Sequence, residues 1–269
     1  MPSLLRREGR TTFGKDPSGY ARYRLPYPPR VLEILKDRCG LTRGSRVFEI
    51  GPGPGLATRE LLRLGANPLY VVEPDPRLAR YLARTLGTAE GRLRFVRSTF
   101  EDAPLPAGRF DLGVAATSFH WVHARRGLPK VARLLRPGGW WAMWWNRHGD
   151  PEHPSEFHRA THRLWRPLES HPTWVRRGRL DSRREVAVRL GRLGRSGDFD
   201  RIDYEVVRFP VELDPAEVRG LWATFGNVLK MSPARRRTFL DAVERIAREE
   251  FGGKVRFDMS TPIYTARRA

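Results

Sequence analysis

Short apolar runs alternate with amphipathic helical patterns through the first half of the chain. The runs predict strands at residues 45–50, 69–73, 93–97, 110–116 and 140–146, with helices at 56–64, 76–86 and 124–135 between them. Strands that alternate with helices are typical of βαβ units and a parallel sheet. The sequence therefore predicts an α/β fold with a doubly wound, Rossmann-like sheet.

The pattern changes after Asn146. Residues 150–200 are rich in His, Trp, Pro and Arg, and are followed by predicted strands at 203–209 and 254–267 and predicted helices at 215–225 and 233–251. Two late strands would complete a seven-stranded sheet. We expect one domain over residues 1–146, a Rossmann-like core with an N-terminal lid segment. Residues 147–269 would add the last two strands and helical insertions that form a lid over the carboxyl edge.

A glycine-rich loop follows the first predicted strand. Gly51, Gly53 and Gly55 stand between the apolar run and an amphipathic helix, where the backbone must turn tightly beside a ligand. The spacing G-x-G-x-G differs from the dinucleotide pattern G-x-G-x-x-G, which disfavours hydride-transfer cofactors. Glu49, two residues before the loop, can accept hydrogen bonds and lie near an ammonium group, whereas a pyrophosphate would be repelled.

A second acid, Glu73, ends the second predicted strand. It follows Gly51 by about 22 residues, a spacing at which a carboxylate grips both hydroxyls of a ribose. The alternative is that Glu49 and Glu73 are ordinary strand-end charges beside an ordinary loop. The order of strand, loop, helix, strand and acid favours a nucleoside-type ligand.

The composition bears on partners and location. The formal net charge of +20 leaves a nucleic-acid partner open, but the basic residues are scattered and lack interleaved aromatic residues. The absence of glutamine, together with only three asparagines, predicts a heat-adapted protein. A single cysteine, Cys39, and an N-terminus without a secretory pattern predict a cytoplasmic location. No apolar run reaches the length of a membrane span.

Four further motifs occur in order along the chain. They are Tyr20, Arg24, Tyr27 and Pro28 in a pattern Y-x-x-x-R-P-x-Y-P; Ser98-Thr-Phe-Glu101 with Pro104-Leu105; Phe119-His120-Trp121; and Arg133 to Gly139 leading to Trp145-Asn146. With the glycine loop, they resemble the class I S-adenosylmethionine-dependent methyltransferases, in particular the trans-aconitate-type small-molecule branch of the methyltransferase type 11 group. Leu25 departs from the proline that usually follows the arginine, and Ser98 stands where glycine is common.

The resemblance implies roles for the matching positions. S-adenosylmethionine would be the cofactor. Glu49, Gly51 and Gly53 would line its methionine part, Glu73 its ribose, and Thr99, Phe100 and Glu101 its adenine edge, with Pro74 packing nearby. Thr117 and Ser118 would approach its methionine or sulfonium end, and Gly55 completes the cofactor-binding residues. Tyr20, Arg24 and Trp121 are the candidate acceptor-binding residues.

Methyl transfer from a sulfonium is an in-line displacement, so positioning and exclusion of water matter more than acid–base chemistry. His120 is a candidate general base at the carboxyl edge, but an anchoring role is favoured because a carboxylate acceptor is already ionised. No metal is expected, since His153, His158 and His162 lack the spacing of a zinc site.

The acceptor is therefore predicted to be a small molecule, with a carboxylate or hydroxyl favoured. The end of the fourth strand, Ala116-Thr-Ser-Phe119, lacks the D/N-P-P-Y/F motif of adenine methyltransferases. Two alternatives stay open: methylation of RNA or another macromolecule, and a catalytically silent S-adenosylmethionine-binding protein. The tryptophans at 140, 141, 144 and 145 are predicted to be core residues, whereas Trp165, Trp174 and Trp222 are candidates for lining an acceptor pocket.

Overall fold

The computed structural model describes residues 11–148, 155–165 and 182–269. In these residues the strands are β1 (Val47–Ile50), β2 (Leu69–Val72), β3 (Leu93–Val96), β4 (Phe110–Ala116), β5 (Leu135–Trp144), β6 (Arg147–His148), β7 (Phe199–Leu213) and β8 (Val255–Arg268). The α-helices are α1 (Pro17–Tyr23), α2 (Pro29–Asp37), α3 (Leu56–Arg63), α4 (Pro76–Leu86), α5 (Ala124–Leu134), α6 (Glu156–Trp165), α7 (Ser182–Gly194), α8 (Pro215–Ala223), α9 (Gly226–Leu229) and α10 (Pro233–Glu249). Single-turn 3₁₀ helices lie at Phe13–Lys15 and Phe119–Trp121.

The strands form a sheet in the order β3-β2-β1-β4-β5-β8-β6, and β7 pairs with β8 outside this path. Strands β3, β2, β1, β4 and β5 are parallel to one another. Strand β8 is antiparallel to both β5 and β6. This is the predicted doubly wound α/β architecture. The reversal between β1 and β4 places a topological switch point at the carboxyl ends of these strands, where ligands bind in such sheets.

Two details of the sheet differ from the sequence prediction. The sheet has eight strands in place of seven, because β6 is only two residues long and too short to show a hydrophobic pattern. Strand β5 begins at Leu135, although Pro137-Gly-Gly139 indicated a turn. The pairing with β4 shifts register between Phe110 and Leu112, and a Cβ on Gly139 would lie 2.9 Å from the Phe110 carbonyl. The glycines therefore form an irregularity inside the strand.

The chain divides into two compact units. The sheet unit comprises Pro26–Asn146, Ala187–Val207 and Thr261–Ala269; the helical unit comprises Met1–Leu25, Arg147–Val186 and Arg208–Ser260. The boundary predicted at residue 146 coincides with one boundary between the units. Beyond it the chain returns twice to the sheet unit, because β7 and β8 each contribute residues to both.

The sheet unit is built around the parallel strands. All four residues of β1 are buried, and apolar residues of α2, α3 and α4 pack against them and against β2 and β4. Trp140, Trp141, Trp144 and Trp145 are 9%, 0%, 1% and 4% exposed, which confirms their prediction as core residues. A buried central sheet of this kind holds the strand ends in fixed positions.

The helical unit has its own core. Phe157 of α6 makes edge contacts with Trp222 of α8 and with Phe257 of β8, and Trp222 stacks on Phe239 of α10. Trp222 is 2% exposed, so its prediction as an acceptor-lining residue is wrong. Trp174 and the side chain of Trp165 lie outside the described part of the chain.

Candidate functional site

The glycine loop lies at the carboxyl end of β1, as predicted. Gly51, Gly53 and Gly55 have φ angles of +63°, +57° and +93°, which are left-handed values that favour glycine. A Cβ on Gly51 would lie 2.8 Å from the Cβ of Ser118, whereas one on Gly53 would meet nothing within 4 Å. The base of the loop is thus packed against the end of β4, while open space surrounds the backbone at its tip.

Glu49 is fully buried beneath this loop. Its Oε2 accepts a 2.7 Å hydrogen bond from the hydroxyl of Thr58 on α3, and its Oε1 has no hydrogen-bond partner. Burial raises the pKa of this carboxyl to about 8; the nearby charge of Glu73 acts in the same direction and the Thr58 bond opposes it. A buried carboxyl with an unsatisfied oxygen lacks a donor, and a cationic ligand would supply one.

Glu73 follows β2 and is 6% exposed. Its Oε2 accepts from the Gly53 amide at 3.2 Å and its Oε1 from the Asp75 amide at 2.9 Å, so it connects the glycine loop to the start of α4. Burial raises its pKa to about 7, against the lowering effect of these two amide bonds. Each oxygen keeps a second lone pair for a ligand hydroxyl. Pro74, beside it, is half-buried.

The predicted adenine-edge residues follow β3, and their side chains do different things. The Phe100 ring is 3% exposed and stacks on Phe48 with ring centroids 6.0 Å apart, so this side chain is a core residue. The Thr99 hydroxyl donates to Asp102 at 2.6 Å, and the Glu101 carboxylate accepts from the His123 amide at 2.9 Å. At this edge the polar groups are Thr99, Glu101 and Asp102, and the sequence motif had not singled out Asp102.

Thr117 and Ser118 end β4. Thr117 has φ of +58°, an unusual conformation for a β-branched residue, and its amide donates to the Trp144 carbonyl at 2.8 Å. Its hydroxyl lies 3.1 Å from the hydroxyl of Tyr27. The Ser118 hydroxyl donates to the Ile50 carbonyl at the end of β1. Both residues therefore lie where β1 and β4 diverge.

Tyr27 is a site residue that the sequence reasoning missed. Its ring makes an edge contact with Trp144, with centroids 5.6 Å apart, in addition to the hydroxyl contact with Thr117. The preceding carbonyl, of Pro26, accepts from the Asn146 amide at 2.9 Å. Residues 26 and 27 are thus fastened across the ends of β4 and β5. Tyr27 was visible in its motif, but the motif gave no partner for it.

His120 lies in the 3₁₀ turn after β4. Its Nδ1 accepts a 3.1 Å hydrogen bond from the indole N–H of Trp145, and its ring lies 4.7 Å from that of Trp121. A neutral imidazole that accepts at Nδ1 carries its proton at Nε2, so it is a donor on its other side. The Arg189 guanidinium covers Trp145 from α7, 3.9 Å from the ring centroid. This environment suits an anchored ring.

Tyr20 and Arg24 lie in the helical unit. The guanidinium of Arg24 stands 5.0 Å from the centroid of the Tyr20 ring and 4.8 Å from that of Phe225, and it donates to the Thr224 carbonyl at 3.2 Å. The two predicted acceptor-binding residues of this unit are therefore in direct contact with each other. Trp121, the third, belongs to the sheet unit.

The described residues offer neither a metal-binding cluster nor a membrane-spanning helix. No group of three or more His, Cys, Asp or Glu side chains in that part of the chain is placed to hold a metal ion. His153 lies outside it, whereas His158 bonds to the Ser155 hydroxyl at 3.2 Å. None of the helices in the same residues is both long enough and apolar enough to span a bilayer.

Comparison with known proteins gives a consistent family match. Residues 48–143 match the family described as a methyltransferase domain. An uncharacterised methyltransferase of Mycobacterium tuberculosis is 33% identical over 141 residues, which is 52% of this chain and 54% of the relative. The chain thus spans about half the length of the curated relatives it matches first.

Solved structures extend the fold similarity beyond this region. A putative type II methyltransferase from Anaeromyxobacter dehalogenans aligns with a TM-score of 0.61 at 21% identity, over 91% of this chain and 97% of that one. A putative sarcosine dimethylglycine methyltransferase from Galdieria sulphuraria aligns with a TM-score of 0.55 at 14% identity, over 96% and 98%. At these identities the likeness establishes the fold.

Proposed function

We propose that this chain is a class I methyltransferase that binds S-adenosylmethionine and transfers its methyl group to a small-molecule acceptor. The match of residues 48–143 to the methyltransferase domain family supports this proposal. The binding site is the carboxyl edge of β1, β2 and β4, lined by the glycine loop, Glu49, Glu73, Thr117 and Ser118. All of these residues lie in the sheet unit.

The observation that carries the proposal is the unsatisfied, fully buried oxygen of Glu49. A buried carboxylate is stable only if it is paired, and otherwise it takes up a proton. The α-ammonium group of S-adenosylmethionine supplies both a positive charge and N–H donors. A dinucleotide pyrophosphate would place negative charge near the same carboxyl and is disfavoured.

Glu73 fits the ribose for a different reason. Its two oxygens are already fixed by the Gly53 and Asp75 amides, so the carboxylate is held rigidly before any ligand binds. Two ribose hydroxyls can then donate to its remaining lone pairs without a loss of side-chain freedom. Thr99, Glu101 and Asp102 offer polar contacts at the end of β3 for the edge of the base.

S-adenosylmethionine supplies an electrophilic methyl carbon on a positively charged sulfur. The chain's own part is to bind and orient. The left-handed Thr117 and the Ser118–Ile50 bond fix the end of β4, and Tyr27 fixes the Thr117 hydroxyl. His120, whose Nδ1 is occupied by Trp145, is assigned a positioning role in preference to that of a general base.

We favour a small acceptor bearing a carboxylate or hydroxyl. The Galdieria protein is named as a putative sarcosine dimethylglycine methyltransferase, which supports small-molecule chemistry on this fold. An RNA acceptor, suggested by the net charge, receives less support because Arg189 in the most arginine-rich segment is already stacked on Trp145. We retain a cytoplasmic location and heat adaptation as parts of the proposal, on the basis of composition.

Calorimetry with S-adenosylhomocysteine tests the cofactor assignment. We expect the wild-type chain to bind and Glu73→Ala to bind at least about tenfold more weakly, since charge-assisted hydrogen bonds to the ribose are lost. Glu60→Ala is the matched control and should bind S-adenosylhomocysteine normally, because Glu60 is a partly exposed acid of α3 that pairs with Arg63. Absence of binding by the wild type would overturn the proposed function. Normal binding by Glu73→Ala would overturn only the ribose assignment.

A further inference from the structure

The helical unit contains an arginine held between two aromatic rings. Arg24 ends α1, and its half-buried guanidinium lies 5.0 Å from the Tyr20 centroid and 4.8 Å from the Phe225 centroid. The rings restrict the plane and position of the guanidinium. Its Nη2 donates to the Thr224 carbonyl, while its Nε–H is buried and has no acceptor. The group is therefore oriented and incompletely satisfied.

No carboxylate contacts Arg24 within residues 11–148, 155–165 and 182–269. Its contacts there are the two rings and the Thr224 carbonyl. Two other arginines of the helical unit are paired with acids, Arg219 with Asp241 and Glu244 and Arg147 with Glu185, whereas Arg236 resembles Arg24 in bonding to a carbonyl with its Nε–H buried and without an acceptor. A half-buried guanidinium that keeps its full charge is normally compensated by an anion. Here the neighbouring side chains of the described chain leave that charge uncompensated.

His148 adds a second unsatisfied group beside it. Its ring makes an edge contact with Phe225, with centroids 5.1 Å apart, and its buried Nε2 has no hydrogen-bond partner. Burial lowers the pKa of His148 to about 3, and the charges of Arg24 and His158 act in the same direction. No acidic residue in the described part of the chain contributes to this pKa shift. The surroundings of Phe225 therefore combine aromatic walls, a fixed cation and positive potential.

We propose that Arg24 and His148, with Tyr20 and Phe225 as walls, form a binding site for a planar carboxylate. The guanidinium supplies the counter-charge and fork-shaped donors that a carboxylate requires. The flat rings favour a planar, unsaturated or aromatic, body next to the carboxylate. This binding site does not rest on the proposed function.

A purely structural role for Arg24 gives a different expectation. Its bond to Thr224, together with that of Arg236 to the Ala223 carbonyl, caps the end of α8, where cations stabilise a helix. Such a cap would affect the stability of the helical unit but would confer no selectivity for carboxylates. Ligand binding and stability therefore separate the two roles.

Ligand-observed NMR titration of the full chain tests the proposal, with benzoate as the probe and benzamide as its uncharged isostere. We expect millimolar-range binding of benzoate, no measurable binding of benzamide, and at least about tenfold weaker benzoate binding in Arg24→Met. Arg24→Lys keeps the charge but loses the fork, so it should show an intermediate affinity. Arg22→Met is the matched control and should bind benzoate as the wild type does. Arg22 is exposed, and its guanidinium lies over the ring of Tyr23 in the same helix.

Three results would overturn the proposal: equal affinity for benzoate and benzamide, equal benzoate affinity in wild type and Arg24→Met, or an equal loss in Arg22→Met, which would show adsorption by net charge. If Arg24→Met unfolds, as judged by circular dichroism, Arg24→Lys and the benzamide comparison still decide the matter. S-adenosylhomocysteine binding is measured on the same samples. Benzoate binding without S-adenosylhomocysteine binding would refute the proposed function alone. S-adenosylhomocysteine binding without benzoate binding would refute this inference alone.

Discussion

Replacement of Glu49 by glutamine isolates the charge that we assign to the cofactor's ammonium group. In the unliganded protein burial raises the pKa of Glu49 to about 8, from an ordinary value of 4.5. At pH 7 the carboxyl is therefore about nine-tenths protonated. An ammonium ligand pairs with the ionised form, so binding should expel close to one proton from this residue.

The magnitude follows from linkage. If the bound carboxylate regains its ordinary pKa, the ionisation of Glu49 alone strengthens binding about 25-fold between pH 6.0 and 7.5. Glu73, whose pKa is about 7, titrates in the same window and acts in the same direction. It is present in both proteins, so the dissociation constant of Glu49→Gln divided by that of the wild type isolates Glu49. That ratio should be small at pH 6.0 and large at pH 7.5.

Calorimetric titration with S-adenosylhomocysteine measures this ratio across the pH range. Repeating it in two buffers with different ionisation enthalpies counts the protons released. Glu60→Gln on the neighbouring helix, partly exposed and paired with Arg63, should follow the wild type. Parallel pH profiles for wild type and Glu49→Gln, or proton uptake on binding, would refute the reasoning about this carboxyl.

Two further substitutions test how the site is built. In a denaturant titration, Gly51→Ala should lower the free energy of unfolding by about 1–3 kcal/mol more than Gly40→Ala does. Both positions have a similar positive φ, but only a side chain at position 51 would clash with Ser118. Equal losses of unfolding free energy in the two variants would contradict the close packing of Gly51 against Ser118. Tyr27→Phe should cost about 1 kcal/mol of stability and weaken S-adenosylhomocysteine binding several-fold, since Thr117 loses a partner. The control is Tyr70→Phe, because Tyr70 lies on strand β2 and packs against Phe110. Equal effects of Tyr27→Phe and Tyr70→Phe would contradict a role for the Tyr27 hydroxyl.

The elements that the sequence predicted best carry local signals at both ends. Helix α4 was predicted at its observed bounds, because Asp75 caps it, Pro76 begins it and Gly87 follows it. Strand β7 was predicted shorter than its observed span of Phe199–Leu213. Pro210 lies inside it and argues against a central strand, but β7 pairs only with β8 along the described sheet, and such a position tolerates a missing amide donor.

The site was predictable in its chain positions but not in its side-chain contacts. Glu49, Glu73 and the glycines are fixed by their places at strand ends, which follow from topology alone. The contacts of Tyr27 with Thr117 and of Trp145 with His120 join residues 90 and 25 positions apart. The burial of the Phe100 ring depends on Phe48 in another strand. No local pattern contains such pairings, because they arise from packing between elements.

The net charge of the chain also conceals the local arrangement of charge. The chain has 50 lysines and arginines against 30 acids, so a shortage of cations cannot explain why Glu49 is unpaired. The fold places Arg77 on Asp75, two residues from Glu73, yet no cation of the described residues contributes to the pKa of either Glu49 or Glu73. Arg24 shows the converse, a half-buried cation with no carboxylate contact in the described chain. A charge left uncompensated in each unit indicates the charge of its ligand: positive at the end of β1, and negative between Tyr20 and Phe225.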